Sequence, residues 1–189
     1  MIANESTGKR DEILDAAESM IRTLGFNGFS TRDVAASVGI KAASVHYYFA
    51  TKADMGAAVA ERYTLKFLEA LGDPTAFDGD AKKVISHYVI GFRQALMRDR
   101  KLCLCAVLGA EIGSLPTDVG DHARIFFQKN IEWLTSALTT SSRMSGVKAK
   151  AQAVLVLAAL EGAMIVSKSL DDQATFEIVA KGLIKLADS

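Results

Sequence analysis

The sequence predicts an all-α fold, and three observations carry that expectation. Only two of the 189 residues are proline and half are hydrophobic, a composition suited to long uninterrupted helices. Apolar side chains recur at steps of three and four along most of the chain, and no stretch sustains the alternation of a half-buried strand. Residues 29–55 read FSTRDVAASVGIKAASVHYYFATKADM, in which short helices follow one another with hardly a gap.

Ile13, Ala17, Ile21 and Leu24 form the stripe of a first helix that stops at Gly25. Ser30 caps the second, and Asp33 three positions on completes a capping box. Val34, Ala35 and Val38 give it an inward face. Gly39 stands where the helix must end in a left-handed residue, which glycine adopts without steric cost. Ile40 then packs inward and a third helix runs from about Ala42 to Phe49. Thr51-Lys52-Ala53-Asp54 is a second cap-like tetrad, opening a long helix marked by Met55, Val59, Tyr63 and Phe67 that ends near Gly72-Asp73-Pro74. Val84, Tyr88, Phe92 and Leu96 mark the next helix, with Ile85 and Val89 widening its stripe. A helix around Cys103 to Leu115 is broken by Pro116. Phe127, Ile131, Leu134 and Leu138 mark another, ending in TTSSRMSG, and a final pair spans about Val147 to Leu170 and Asp172 to Asp188.

Residues 29–55 have the dimensions of a helix-turn-helix. Helices this short cannot build a core of their own, so a neighbouring helix must hold them and the outer face of the third is left for a partner. A helix entering the DNA major groove needs small residues at its tip, and Ala42, Ala43 and Ser44 meet that need. His46, Tyr47 and Tyr48 offer polar groups for phosphates on consecutive positions. Lys52 lies at a helix N-terminus, where free amides and the dipole favour phosphate. Arg32 can reach a guanine edge with two donors. The alternative for the aromatic run is an ordinary amphipathic turn with one ring buried.

Charge bounds the affinity such a head can reach. The formal net charge is zero, and the first 55 residues hold Lys9, Arg10, Arg22, Arg32, Lys41 and Lys52 against seven acids. That is not the basic footprint of a general nucleic-acid binder. The acids Asp11, Glu12, Asp15 and Glu18 cluster in the first helix, away from Arg32, Lys41 and Lys52. Specific binding then leans on a few contacts and on pairing of two copies.

Other function classes find little support. His46, His87 and His122 are scattered without metal-ligand spacing, and no GxSxG, P-loop or dinucleotide-binding glycine pattern occurs, so neither a catalytic centre nor a metal or other cofactor is expected. The N-terminus, MIANESTGKRDEI, lacks the apolar core of a signal peptide. The greasiest run, Ala153 to Val166, is too short to span a bilayer and carries Glu161, so no membrane partner is expected. Cys103 and Cys105 would not readily bridge each other along a helix, which fits a reducing cytoplasm.

The last two helices suggest self-association. Val154, Leu157 and Ile165 belong to a helix apolar on almost every side, and a chain this small seldom covers such a helix alone. Phe176, Val179, Leu183 and Leu186 follow at steps of three and four, with Ala180 and Gly182 allowing close approach. Two such hairpins about a two-fold axis would form a four-helix interface. The alternative is a core helix of the single chain.

The run from about Lys9 to Met55, with ILDAAESMIRTLGFNGFSTRDVAASVGI, the small-residue helix tip, the aromatic cluster and the closing FATKADM, resembles the DNA-binding domain of the tetracycline-repressor (TetR) family of bacterial regulators. The family usually has tyrosine where this chain has His46 and histidine where it has Tyr48. The resemblance implies base contact by Arg32, Lys41, Ala42, Ala43 and Ser44, and phosphate contact by Thr31, His46, Tyr47, Tyr48 and Lys52. It implies a helix-turn-helix domain over residues 1–52 and a helical regulatory and dimerisation domain over 53–189. It further implies a homodimeric repressor on a palindromic double-stranded DNA operator, released by a small-molecule inducer. A constitutive or architectural DNA-binding protein is the rival.

The inducer would be lined by helices bearing Tyr88, Phe92, Cys103, Val107, Phe127, Trp133 and Met164, although most such side chains simply pack. The segment CLCAVLGAEIG also resembles that of family members responding to electrophiles or oxidants, with Cys103 matching the reactive cysteine and Lys168 a lysine near it. A nearby cation would favour the reactive thiolate. The alternative is an inert packed thiol.

Overall fold

The computed structural model describes residues 2–77, 79–142 and 144–187, with the side chains of 2–7, 97–99 and 142 outside that description. Among the described residues there are nine helices and no strand. They are α1 (Ile2–Leu24), α2 (Thr31–Val38), α3 (Ala42–Tyr48), α4 (Lys52–Leu71), α5 (Ala81–Asp99), α6 (Leu104–Ala110), α7 (Thr117–Ser142), α8 (Gly146–Leu170) and α9 (Gln173–Leu186). Asp188, where the last helix was expected to end, and Arg143 of the polar run lie outside the described residues.

Two helix boundaries differ from expectation for physical reasons. α6 stops at Ala110 rather than near Leu115, because turns closed by Glu111 N–H on the Leu108 carbonyl and Ser114 N–H on the Glu111 carbonyl take over ahead of Pro116. α7 starts directly after that proline, so Val119, Ala123 and Phe126 extend its buried stripe towards the N-terminus.

The chain forms two compact units. Unit 1 comprises residues 1–64 and 104–126, so the helix-turn-helix shares its unit with the first part of α4, with α6 and with the start of α7. Its core is built on Ile13, Leu14, Ala17 and Ile21 of α1, Val34 of α2, Val45 of α3, and Met55 and Val59 of α4, all fully buried. The short helices are thus held by longer neighbours, as their length demands. Burial of roughly 2 kcal/mol per large apolar side chain is what fixes them.

Unit 2 comprises residues 65–103 and 127–189. α8 packs along α9, and α5 meets both. Its core includes Tyr88, Phe92, Leu134, Leu160, Met164 and Phe176. Arg93 of α5 grips Glu177 of α9 with two parallel hydrogen bonds of 2.6 and 2.9 Å. At 25 residues, α8 is longer than the apolar run read from the sequence and, by length and composition, long and apolar enough to cross a membrane. Here it lies in the core of unit 2, with Ala153, Val156, Leu160 and Met164 buried.

Candidate functional site

The reading motif rests on two capping boxes and one left-handed glycine. The Ser30 amide donates to Asp33 Oδ2 at 2.7 Å while the Asp33 amide donates to Ser30 Oγ at 3.4 Å. The Ser30 hydroxyl also donates to Asp33 Oδ2 at 2.7 Å, and that bond, followed by the one from the Ser30 amide, holds the Asp33 carboxyl below its ordinary range. Gly39, at φ 72°, ends α2 with its amide directed at the Ala35 and Ala36 carbonyls. The Ile40 amide then donates to the Ala35 carbonyl at 2.9 Å and turns the chain into α3. At α4, the Thr51 amide donates to Asp54 Oδ2 at 2.8 Å and the Asp54 amide to Thr51 Oγ1 at 3.0 Å.

This frame leaves one side of α3 uncovered. Val45 is fully buried beneath it. Lys41 and Ala43 are exposed, Ala42 and Ser44 half-buried, and Arg32 is exposed on α2 beside half-buried Thr31. Ala43, Ser44, Tyr47 and Tyr48 line a shallow open depression, so the small tip and the two phenols share one surface. Tyr47 is 82 % exposed and meets Tyr48 edge to face at 5.2 Å. His46 Nδ1 lies 3.2 Å from the Ala50 carbonyl, which can only accept, so Nδ1 carries a proton. The outward Nε2 donates to a phosphate only when the ring is an imidazolium.

Lys52 is placed differently from its expected role. Its ammonium points into unit 1, donating to the Phe26 carbonyl at 2.5 Å and to the Phe29 carbonyl, between the two phenyl rings at 4.6 and 4.3 Å from their centroids. Burial lowers its pKa, against the opposing pull of the Glu111 and Asp33 charges. A phosphate contact through this side chain would need the ammonium to leave those carbonyls. Glu111, absent from the sequence reading, completes the arrangement by accepting from the Phe26 amide at 2.7 Å. Gly25 precedes it at φ 78°, and a β-carbon there would collide with the Glu111 carboxylate.

The acids of α1 have a partner within the unit. Arg62 of α4 lies 2.7 Å from Asp15 and 3.5 Å from both Asp11 and Glu18. Three of the four carboxylates that weighed against DNA therefore face α4.

In unit 2, polar groups from several elements meet in the core. Tyr88 of α5 donates its hydroxyl proton to Asn130 Oδ1 of α7 at 2.7 Å. Its pKa is pushed well up, first by burial and then by the Glu161 carboxyl and the Cys103 thiol. Glu161 of α8 is 8 % exposed, and burial raises its pKa to about 7, a shift the nearby Cys103 thiol moderates. Aromatic rings flank Tyr88: Trp133 at 5.9 Å, Phe92 at 5.3 Å and Phe67 at 6.1 Å.

Of the expected inducer-lining residues, Tyr88, Phe92, Cys103, Trp133 and Met164 are buried in unit 2 and Phe127 is half-buried there. Val107 falls in unit 1, because α6 packs on α1. For the sensor reading, the Cys103 thiol is buried and lies beside the Glu161 carboxyl. Lys168 is exposed in the last turn of α8. The sequence signal for Glu161 was a lone carboxylate inside an apolar run, and it was read only as a mark against membrane insertion.

The expected self-association residues divide. Leu157, Phe176 and Leu183 are buried in their own chain, because the α8–α9 hairpin needs one face of each helix for its own packing. Val154, Ile165 and Leu186 are exposed and Val179 is half-buried. Leu155, Val166 and Ile178, not singled out from the sequence, are also exposed.

The family model described as "Bacterial regulatory proteins, tetR family" matches residues 13–59. No curated protein matches the sequence significantly. Among solved structures, a TetR transcriptional regulator from Legionella pneumophila superposes with a TM-score of 0.84 at 29 % identity, covering 93 % of this chain and 95 % of that one. A TetR-family transcriptional regulator from Agrobacterium tumefaciens gives 0.84 at 26 % identity over 95 % and 97 % of the two chains. The reduced form of NemR from E. coli shares the fold at a TM-score of 0.77 and 20 % identity, covering 93 % and 95 %.

Two outcomes follow for stability. Lys52→Met leaves two carbonyls without their charged donor, so urea unfolding should show a loss of at least about 1 kcal/mol; unchanged stability would mean the ammonium does not hold the turn. Glu161 keeps its proton more tightly when folded, with its pKa raised from 4.5 to about 7. Its contribution is therefore fully present below pH 4.5 and is lost as pH rises through about 7. The loss is on the order of 3 kcal/mol in full. Thermal melts of wild type across that range should fall more steeply with pH than those of Glu161→Gln, and parallel curves would contradict the assignment.

Proposed function

Because the chain is a TetR-family transcriptional regulator, we propose that it is a homodimeric, ligand-responsive repressor that holds a palindromic DNA operator and is released by a small-molecule inducer. The observation that carries the reading is the surface of α3. Its small tip residues and two phenols lie together on one uncovered side, flanked by Arg32 and Lys41, while Val45 anchors the opposite side. Small residues let the backbone approach base edges, and the phenols and cations suit phosphates.

One helix of seven residues supplies few base contacts, so specific reading calls for two half-sites. The exposed apolar side of the α8–α9 hairpin supports pairing. Leu155, Ala158, Gly162 and Val166 follow steps of three and four on α8, with Val154 and Ile165 beside them and Ile178 and Leu186 on α9. Leu155, Ile178 and Leu186 are each more than half exposed, an unusual set for a surface that meets only water. Ala158 and Gly162 would let two helices approach closely.

Arg32→Ala should lower the preference for operator over random DNA by about 1–3 kcal/mol, because a lost guanine contact acts on discrimination. Tyr48→Phe should weaken binding to all sequences alike, since phosphates carry no sequence information. Titrations at fixed salt measure both, and an unchanged operator-to-random ratio for Arg32→Ala would contradict the assignment. Ile178→Glu should leave the monomer folded and shift sedimentation towards one copy. A variant that remains as associated as wild type would place the pairing surface elsewhere.

A further inference from the structure

α8 carries a carboxyl at the centre of its apolar length, and the chain does not meet that carboxyl's needs. Glu161 is buried, and apart from the Cys103 thiol its two oxygens have no hydrogen-bond partner. A buried polar group left unmet is costly, so such a group in a native fold calls for a partner from outside the chain. The neighbours explain why none is found within. Tyr88 has one hydroxyl proton, and it goes to Asn130 Oδ1. The Cys103 thiol is a weak donor. Tyr88, close enough to feel the Glu161 charge, has its hydroxyl proton committed to Asn130 and offers the carboxyl no donor. The Tyr88 ring packs against Trp133 at 5.9 Å and Phe92 at 5.3 Å. A carboxyl beside aromatic faces suits a cation bearing N–H donors.

We propose that Glu161 anchors a small-molecule site in unit 2 that takes a small protonated amine, with Tyr88 and Trp133 flanking the cation. This names the ligand chemistry of the ligand-responsive reading above and rests on it. Four elements supply the cluster: Tyr88 comes from α5, Cys103 from just ahead of α6, Asn130 from α7 and Glu161 from α8. An ammonium there would satisfy the carboxyl, and an anion would be repelled by a charge of its own sign.

Trp133 is the single tryptophan of the chain and stacks on Tyr88, so its fluorescence reads the cluster directly. The full-length protein, free of DNA, is titrated with benzylamine, benzyl alcohol and benzoate at fixed pH and salt. Benzylamine should perturb the fluorescence saturably and bind at least about tenfold more tightly than the other two. Glu161→Gln should remove that preference while leaving the response to benzyl alcohol unchanged. Glu161→Met, which deletes the unmet carboxyl, should raise the melting temperature of the unliganded protein, whereas a structural carboxyl would make that variant less stable. No saturable benzylamine binding, equal affinity for all three probes, an unaltered Glu161→Gln or a less stable Glu161→Met would each overturn the proposal. Operator binding measured with benzylamine present separates the two claims. Probe bound without release of DNA upholds the site and contradicts gating by it; release without a Glu161-dependent preference upholds gating and overturns the site.

Discussion

One ammonium group fixes the geometry of the reading head. Lys52 opens α4 and bonds to the carbonyls of Phe26 and Phe29, in the turn that leads from α1 into α2. The turn can accept that charge because two phenyl rings shield it and the Glu111 carboxylate, just past the end of α6, binds the Phe26 amide beside it. The start of α2 and the start of α4 are thereby tied to the same few backbone atoms. α3 lies between them in the chain and is only seven residues long, so its orientation follows from theirs. The two capping boxes then set where α2 and α4 begin, and Gly39 sets the angle at which α3 departs.

Unit 2 follows a different logic. Its core is aromatic around α5 and aliphatic along α8 and α9, and its polar groups are few enough to be followed one by one. The Arg93–Glu177 pair is half-exposed and bidentate, a contact that holds α9 against α5. Glu161 is the opposite case. A buried charge without a partner lowers stability, and proteins retain such groups where a site depends on them.

What was legible in the sequence was local. Ser30 with Asp33, Thr51 with Asp54, and Gly39 are read from spacing alone, because capping joins residues three positions apart. The exposed tip of α3 was legible for the same reason. The inward turn of Lys52 was not, since its partners lie 23 and 26 positions earlier and are backbone oxygens that any sequence supplies. Glu111 reaches Phe26 across 85 positions, so spacing along the chain does not show that they share a unit. On α8 the apolar residues surround the helix, so no periodicity shows which side the chain covers. Leu157 and Leu155 differ there only through the position of α9. Glu161 was visible as an anomaly, but its meaning needed Tyr88 and Asn130 from two other helices.

On the function proposed above, this chain reads one DNA sequence through α3 as a two-fold pair. Footprinting of the purified protein on DNA from beside its own gene tests that most directly. One bounded footprint is expected at low protein concentration, its sequence near-palindromic with half-sites about one helical turn apart. Uniform protection spreading along the DNA without a preferred site would contradict it.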